Sequence, residues 1–209
     1  EDAERATAAY EHILEEAPED VEAIDALEPL YEADERWDDL RSLLDRRLDL
    51  ATTTEAQISA RVRLARLAEK AFGRRDDAMS QLREILTIDP TNLEAMDELE
   101  RLLEAEEDWD DLANLLKRRV ADAAAVGDVG RQKATLLRLA ALHEDHRDSP
   151  DEAAGVLANV LTLDPENADA VRKLVSLHET AGRWQDAVQG LERLLPLLQP
   201  NEAVQTCHK

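Results

Sequence analysis

The chain writes one stretch three times. Asp89 to Val120 reads DPTNLEAMDELERLLEAEEDWDDLANLLKRRV. Upstream, Ala17 to Leu48 reads APEDVEAIDALEPLYEADERWDDLRSLLDRRL, and downstream, Asp164 to Leu195 reads DPENADAVRKLVSLHETAGRWQDAVQGLERLL. Pro18, Pro90 and Pro165 fall in register, as do Trp37, Trp109 and Trp184, at intervals of 72 and then 75 residues. Such a repeat settles the architecture before any single residue does. Each unit is too small to bury its own apolar face and must stack on its neighbours.

Within the copies the apolar residues keep a helical period. Ala23, Leu27 and Leu30 share one face, and Trp37, Leu40, Leu44 and Leu48 share the next. The third copy repeats the second face with Trp184, Ala187, Val188, Leu191 and Leu195. Ala, Leu, Glu, Asp and Arg dominate, aromatics are 3% and glycines number six, a mixture that suits helices and leaves few breaks. Asp20, Asn92 and Asn167 stand two residues after each proline, where a side chain accepts orphan amides as an N-cap. Asp39, Asp111 and Asp186 fall in the first turn of the Trp helices, where an acid suits the macrodipole and needs no catalytic task. Pro29 lies inside a helix and predicts a kink or an early end there.

Between the Trp copies lies a second kind of unit. Thr54 and Gln57 predict a capping box opening a helix to about Phe72, and Gly73 turns the chain into a helix ending at Ile88. Its counterpart runs from Arg131 to Leu163, with Ser149 as cap and Pro150 at the first helical position. The three extra residues of the second interval are expected between Ala123 and Arg131, where Gly127 and Gly130 mark a hinge candidate. Residues 3–16 place Ala6, Tyr10 and Ile13 on a stripe that returns as Ala78, Leu82, Ile85 and as Ala153, Leu157, Val160. The chain therefore reads as opening on the second helix of a hairpin, with an apolar face left open, and as an excerpt of a longer array. The last helix is expected to end near Pro196 and Pro200, and Asn201 to Lys209 to begin another unit.

The third copy carries the residues of a known family. After Asp164-Pro165, Ala170 and Leu174 are followed by Gly182, Trp184, Ala187, Leu191 and Leu194, and D-P-x-N stands at 89–92 and 164–167. This resembles the tetratricopeptide repeat, an antiparallel helix pair of about 34 residues, in the degenerate form of bacterial arrays. The resemblance implies an all-α solenoid of about eleven helices forming a right-handed superhelix. It implies a single array over 1–209: a half unit at 1–17, then pairs near 18–51, 52–89, 90–127, 128–164 and 165–199. Glu28 with Tyr31, and Glu100 with Leu103, stand where the family often has Gly and Tyr. Leu40 and Leu112 replace the usual Ala, so altered helix crossings are expected there.

Composition narrows the function. The net charge is -23, and residues 1–50 hold 18 acids against 5 bases. Such a chain repels nucleic acid and anionic lipid, which need a basic footprint. Two readings of the acidity stay open: a solvated, soluble surface, or a docking face near the N-terminus for a basic partner. No apolar run approaches the ~20 residues that span a bilayer, so membrane insertion is not expected, and no signal peptide is recognisable. The only cysteine, Cys207, forms no internal disulfide and favours a reducing, cytoplasmic setting.

No nucleophile elbow, Walker loop, Gly-rich dinucleotide turn or HExxH is present. The expectation is a non-enzyme without cofactor. His143 and His146 in HEDH share a helix face, but a closed zinc site needs four ligands; His143 continues the Leu136, Leu139 stripe and reads as core edge. The Trp residues read as core wedges between units rather than as a ligand platform. The resemblance implies ligands in a concave groove lined by the first helix of each pair. There Arg63, Arg66 and Lys70 recur at i, i+3, i+7, with no acid between Glu55 and Glu69; the next first helices offer Arg101, then Arg138, then Arg172 and Lys173. They read either as contacts for carboxylates of a peptide or as a solvated face paired with neighbouring acids. The Lys/Asn/Arg clamp for chaperone C-termini is not reproduced. The expected function is a non-catalytic protein-interaction scaffold binding a peptide or protein segment in the groove. The alternative is a regulatory or peptide-sensing region of a larger multidomain signalling protein, and self-association through an exposed array end is a further expectation.

Overall fold

A computed structural model describes residues 2–197. Among them are eleven α-helices and no strand: α1 (Asp2–Glu16), α2 (Val21–Ala33), α3 (Trp37–Leu50), α4 (Thr54–Lys70), α5 (Arg75–Ile88), α6 (Leu93–Ala105), α7 (Trp109–Ala125), α8 (Val129–Asp145), α9 (Pro150–Leu163), α10 (Ala168–Thr180) and α11 (Trp184–Leu194), closed by a 3-10 turn at Leu195–Leu197. Connections of three or four residues fold successive helices into hairpins. The chain divides into two compact units, up to Leu102 and from Leu103 on. In the first, α1 to α5 pack each on the next, and in the second so do α7 to α11.

Each unit has its own core. Ile24, Leu27, Leu40, Leu43, Leu44, Leu64 and Leu67 close together in the first. Leu136, Ala153, Leu157, Val160, Val171 and Val175 do so in the second. The helix starts follow the expected chemistry. Asp20, Asn92 and Asn167 accept the amides of Ala23, Ala95 and Ala170 at 2.9–3.0 Å. The D-P-x-N loop is a second layer of that cap, because the amide of Asn92 donates to Asp89 at 3.2 Å and that of Asn167 to Asp164 at 3.1 Å.

Several expectations change. Helix α2 does not end at Pro29 but runs through it to Ala33; the ring sits on the exposed side, where water reaches the carbonyl it leaves unpaired. The cap of α4 is Thr53, accepting from Ala56, and not Thr54. Ser149 is the N-cap residue of α9, as expected, but its side chain makes no cap bond; its hydroxyl donates to the Arg147 carbonyl instead. The three extra residues do not loosen the stretch around Gly127. They lengthen α7, which has 17 residues where α3 has 14. The turn after it is a short left-handed one at Gly127 (φ 72°), closed by Asp128 capping Arg131 at 2.9 Å. The turn before each Trp helix also needs a left-handed residue; Gly182 supplies it at φ 68°, whereas Glu35 and Glu107 take φ 55° and 57° at a steric cost. Asn201 to Lys209 and Cys207 lie outside the described residues.

The largest correction concerns the tryptophans. None is fully buried: Trp37 and Trp109 are half-buried, and Trp184 is 67% exposed. Trp37 packs against the first core and lines a recess together with Leu67 and Ala71, the latter just beyond α4. Trp109 stacks on His146, just beyond α8, with ring centroids 4.0 Å apart. No described helix lies over Trp184. Hence Leu157→Ala, inside the second core, should lower the urea midpoint by the equivalent of about 2–5 kcal/mol. Trp184→Ala should stay within ~0.5 kcal/mol of wild type in dilute solution.

Candidate functional site

The basic stripe sits on α4 because of that helix's two faces. Ala60, Leu64, Leu67 and Ala68 are buried, and the same 3.6-residue period turns Arg63, Arg66 and Lys70 outward. Their acidic neighbours come from the flanking first helices. Arg63 Nη1 donates to Glu28 Oε2 of α2 at 2.5 Å. Arg66 donates to Glu94 of α6 at 3.1 Å. Arg101 of α6 reaches back with two nitrogens to the carboxylate of Glu69, at 2.9 and 2.6 Å, and with Nε to Glu98 at 3.0 Å. That fork holds the Glu69 carboxyl below its ordinary range, Arg101 being the main cause. Lys70, by contrast, forms no ion pair with another helix among the described residues.

In the second unit Arg138 donates to Glu104 at 2.6 Å, Arg172 to Asp169 of its own helix at 2.6 Å, and Lys173 lies 3.9 Å from Glu144. Each of the three thus meets a carboxylate of its own, on α6, α10 and α8 respectively. The residues that the structure does bring together are Arg63, Arg66, Lys70 and Arg101, all in the first unit.

Two recesses flank Arg66 and Lys70. One, of about 350 Å³, has an apolar floor of Trp37, Leu40, Leu44, Leu67 and Ala71 and a rim of Glu28, Glu32, Arg63, Arg66 and Lys70. The other, of about 580 Å³, is bounded by Arg66, Glu69, Lys70, Gly73, Arg75, Glu98 and Arg101. Apolar floor under charged rim is the composition of a site that holds a side chain and fixes its orientation. Sequence reasoning missed Trp37 as part of this floor, taking it for a wedge. It also missed why Glu28 is there, though its replacement of a family glycine was the signal.

Glu28 is 3% exposed. Burial pushes its carboxyl above the ordinary range, Arg63 pulls it back, and nearby Glu32 adds to the rise. Arg63 is thereby tied to the fold as well as to the groove. The histidines of HEDH serve separate contacts. His143 is buried, and burial with Arg147 and Lys117 nearby pushes its pKa below the usual imidazole value. His146 lies on Trp109.

A pH-dependent outcome follows for Arg63→Ala. Because the folded pKa of Glu28 is raised, the folded state binds its proton more tightly than the unfolded chain. The cost of the ionised form therefore appears as pH rises from the unfolded value of 4.5 through the folded one. Removing Arg63 should destabilise the protein by about 1–3 kcal/mol at neutral pH, leaving a buried carboxylate without its main partner. Near pH ~3, well below the unfolded value of 4.5, Glu28 is protonated in both states and the loss should shrink toward zero. Urea midpoints of both proteins across this range check it; an equal loss at both pH values would remove Glu28 as the cause.

Residues 146–207 match the Tetratricopeptide repeat family. No curated protein sequence matches the chain. Among solved structures, a crystal structure of MamA is 16% identical, covering 80% of this chain and 91% of that one, with a TM-score of 0.46. YrrB, described as a TPR protein with an unusual peptide-binding site, is 16% identical over 96% of each chain at 0.45. The C-terminal part of a TPR repeat-containing protein from Cytophaga hutchinsonii is 10% identical, covering 94% of this chain and 74% of that one, at 0.48. Likeness at these scores assigns no function. The likeness to the Tetratricopeptide repeat family is carried by residues 146–207.

Proposed function

We propose that this protein is a non-catalytic interaction scaffold whose first unit takes a peptide or protein segment along α4. The observation that carries the reading is the recess floored by Trp37, Leu40, Leu44, Leu67 and Ala71 and rimmed by charge. An apolar side chain of the partner fills the floor. Lys70, with no ion pair to another helix among the described residues, meets an acidic group beside it, and Arg66 can exchange its exposed pair with Glu94 for a ligand carboxylate. Arg63 and Arg101 hold the walls, through Glu28 and Glu69. Cations at a partly enclosed site raise the on-rate for an acidic segment, and added salt weakens the effect.

The partner class is therefore a segment with one large apolar residue flanked by acids. Selection from a random displayed-peptide library tests this. Wild-type protein should enrich such peptides, and Lys70→Glu with Arg66→Glu should lose them, by at least about tenfold in affinity, with helical CD and unfolding midpoint unchanged. Enrichment of basic peptides by the wild type, unaffected by these changes, would move the interaction to the acidic face around Glu22, Asp25 and Glu32.

A further inference from the structure

In the larger of the two recesses beside α4 the charge balance of the chain is reversed. Its lining carries four bases, Arg66, Lys70, Arg75 and Arg101, against two acids, Glu69 and Glu98. The chain as a whole holds 25 bases against 48 acids. The remaining lining residue, Gly73, is a left-handed turn where an added Cβ would meet nothing within 4 Å, so this edge of the recess is open.

Glu69 shows how these bases treat an anion. Arg101 closes on its carboxylate with two nitrogens, one to each oxygen, at 2.9 and 2.6 Å. The charges of Arg75 and Lys70 also bear on it, and after Arg101 they help hold its carboxyl below the ordinary range. The fork takes both oxygens of the carboxylate, so Lys70 acts on Glu69 through its charge and forms no ion pair with another helix among the described residues. Arg66 gives one nitrogen to Glu94, just outside the lining, in an exposed pair that a ligand can exchange.

The group that fits such a lining is a phosphoryl monoester. It carries three strong acceptor oxygens and, at neutral pH, about two negative charges. It can therefore meet Lys70, Arg75 and Arg66 together while the fork of Arg101 on Glu69 stays closed. A carboxylate, with two oxygens and one charge, serves fewer of them. The rest of the chain limits where the phosphoryl group comes from. A net charge of -23 repels polyanions such as nucleic acid and anionic lipid surfaces, and leaves a single phosphoryl group on a short segment. The apolar-floored recess shares Arg66 and Lys70 with this one. One segment can therefore fill both, with its apolar and phosphorylated residues about two to four positions apart in an extended chain. We propose that the larger recess reads a phosphorylated serine or threonine on the segment taken along α4. Lys70, Arg75 and Arg66 meet the phosphoryl oxygens, and Arg101, fixed by Glu69, is the wall beside them. This rests on the reading of α4 as a scaffold's groove and gives the acidic flank of the partner its chemical identity.

An oriented peptide library tests this. Random short peptides with one fixed leucine carry phosphoserine, glutamate or serine about two to four residues from it. The three versions are mixed and captured on the immobilised full chain, and the ratio between versions is read. Wild type should enrich the phosphoserine version over the glutamate one by at least about tenfold. Arg75→Gln, with CD and urea midpoint unchanged, should bring the two to within about twofold, and Arg75→Lys should restore part of the difference. Lys70→Gln repeats the test should Arg75→Gln unfold. Equal capture of the phosphoserine and glutamate versions by wild type overturns the phosphoryl assignment and leaves the scaffold reading standing. A preference for phosphoserine that survives both Gln variants also overturns it. Capture that is the same with alanine in place of the leucine overturns the placing of both groups on one segment. Capture of none of the three versions by wild type overturns this assignment and the scaffold reading together.

Discussion

No helix of this protein can hide its apolar seam alone, and the rest of the structure follows from that. A hairpin buries one side of each helix and leaves the other to the next hairpin, so burial is a property of the stack. Leu82 and Leu157, with helices on both sides, are almost entirely buried, while the equivalent Tyr10 on α1 is half open. The tryptophans report the same rule. Trp109 is stacked by His146 just past α8, Trp37 shares a recess with Ala71 just past α4, and Trp184 stays open where no following helix is described. Their burial is decided by the next helix, not by their own.

A second layer of order ties alternate helices. In a chain with 48 acids and 25 bases, a guanidinium facing outward almost always finds a carboxylate. Glu28 to Arg63 links α2 to α4, and Glu69 to Arg101 links α4 to α6. Most such pairs are exposed and contribute ~0–1 kcal/mol each. Glu28 differs because it is buried, so the loss of its partner is felt by the fold. The groove therefore rests on few groups: Lys70, the exchangeable Arg66, and the apolar floor below them.

Much of this was legible in the sequence. The period of the apolar residues gave the helices, and the prolines and D-P-x-N loops gave three caps that the structure confirms at Asp20, Asn92 and Asn167. The basic face of α4 could be read from the turn of the helix alone. What could not be read were the partners of that face. Which carboxylate meets Arg63 depends on how α2 and α4 cross, and spacing along the chain carries no such information. Ser149 and Thr54 show the same limit locally: the right residue type stood at the right place, but the neighbouring hydroxyl or carbonyl took the bond. The burial of Trp184 failed for another reason: a repeat teaches what its neighbours do, and no helix after α11 is among the described residues.

If cover by the next helix is what stabilises each element, protection must follow position in the stack. Native-state amide hydrogen exchange, resolved by helix under dilute conditions, measures this most directly. The account predicts the slowest amides in α4 of the first unit and α8 of the second, which have helices on both sides, and markedly faster exchange in α1 and α11. Equal protection across all helices, or an α11 that exchanges as slowly as α8, would contradict it.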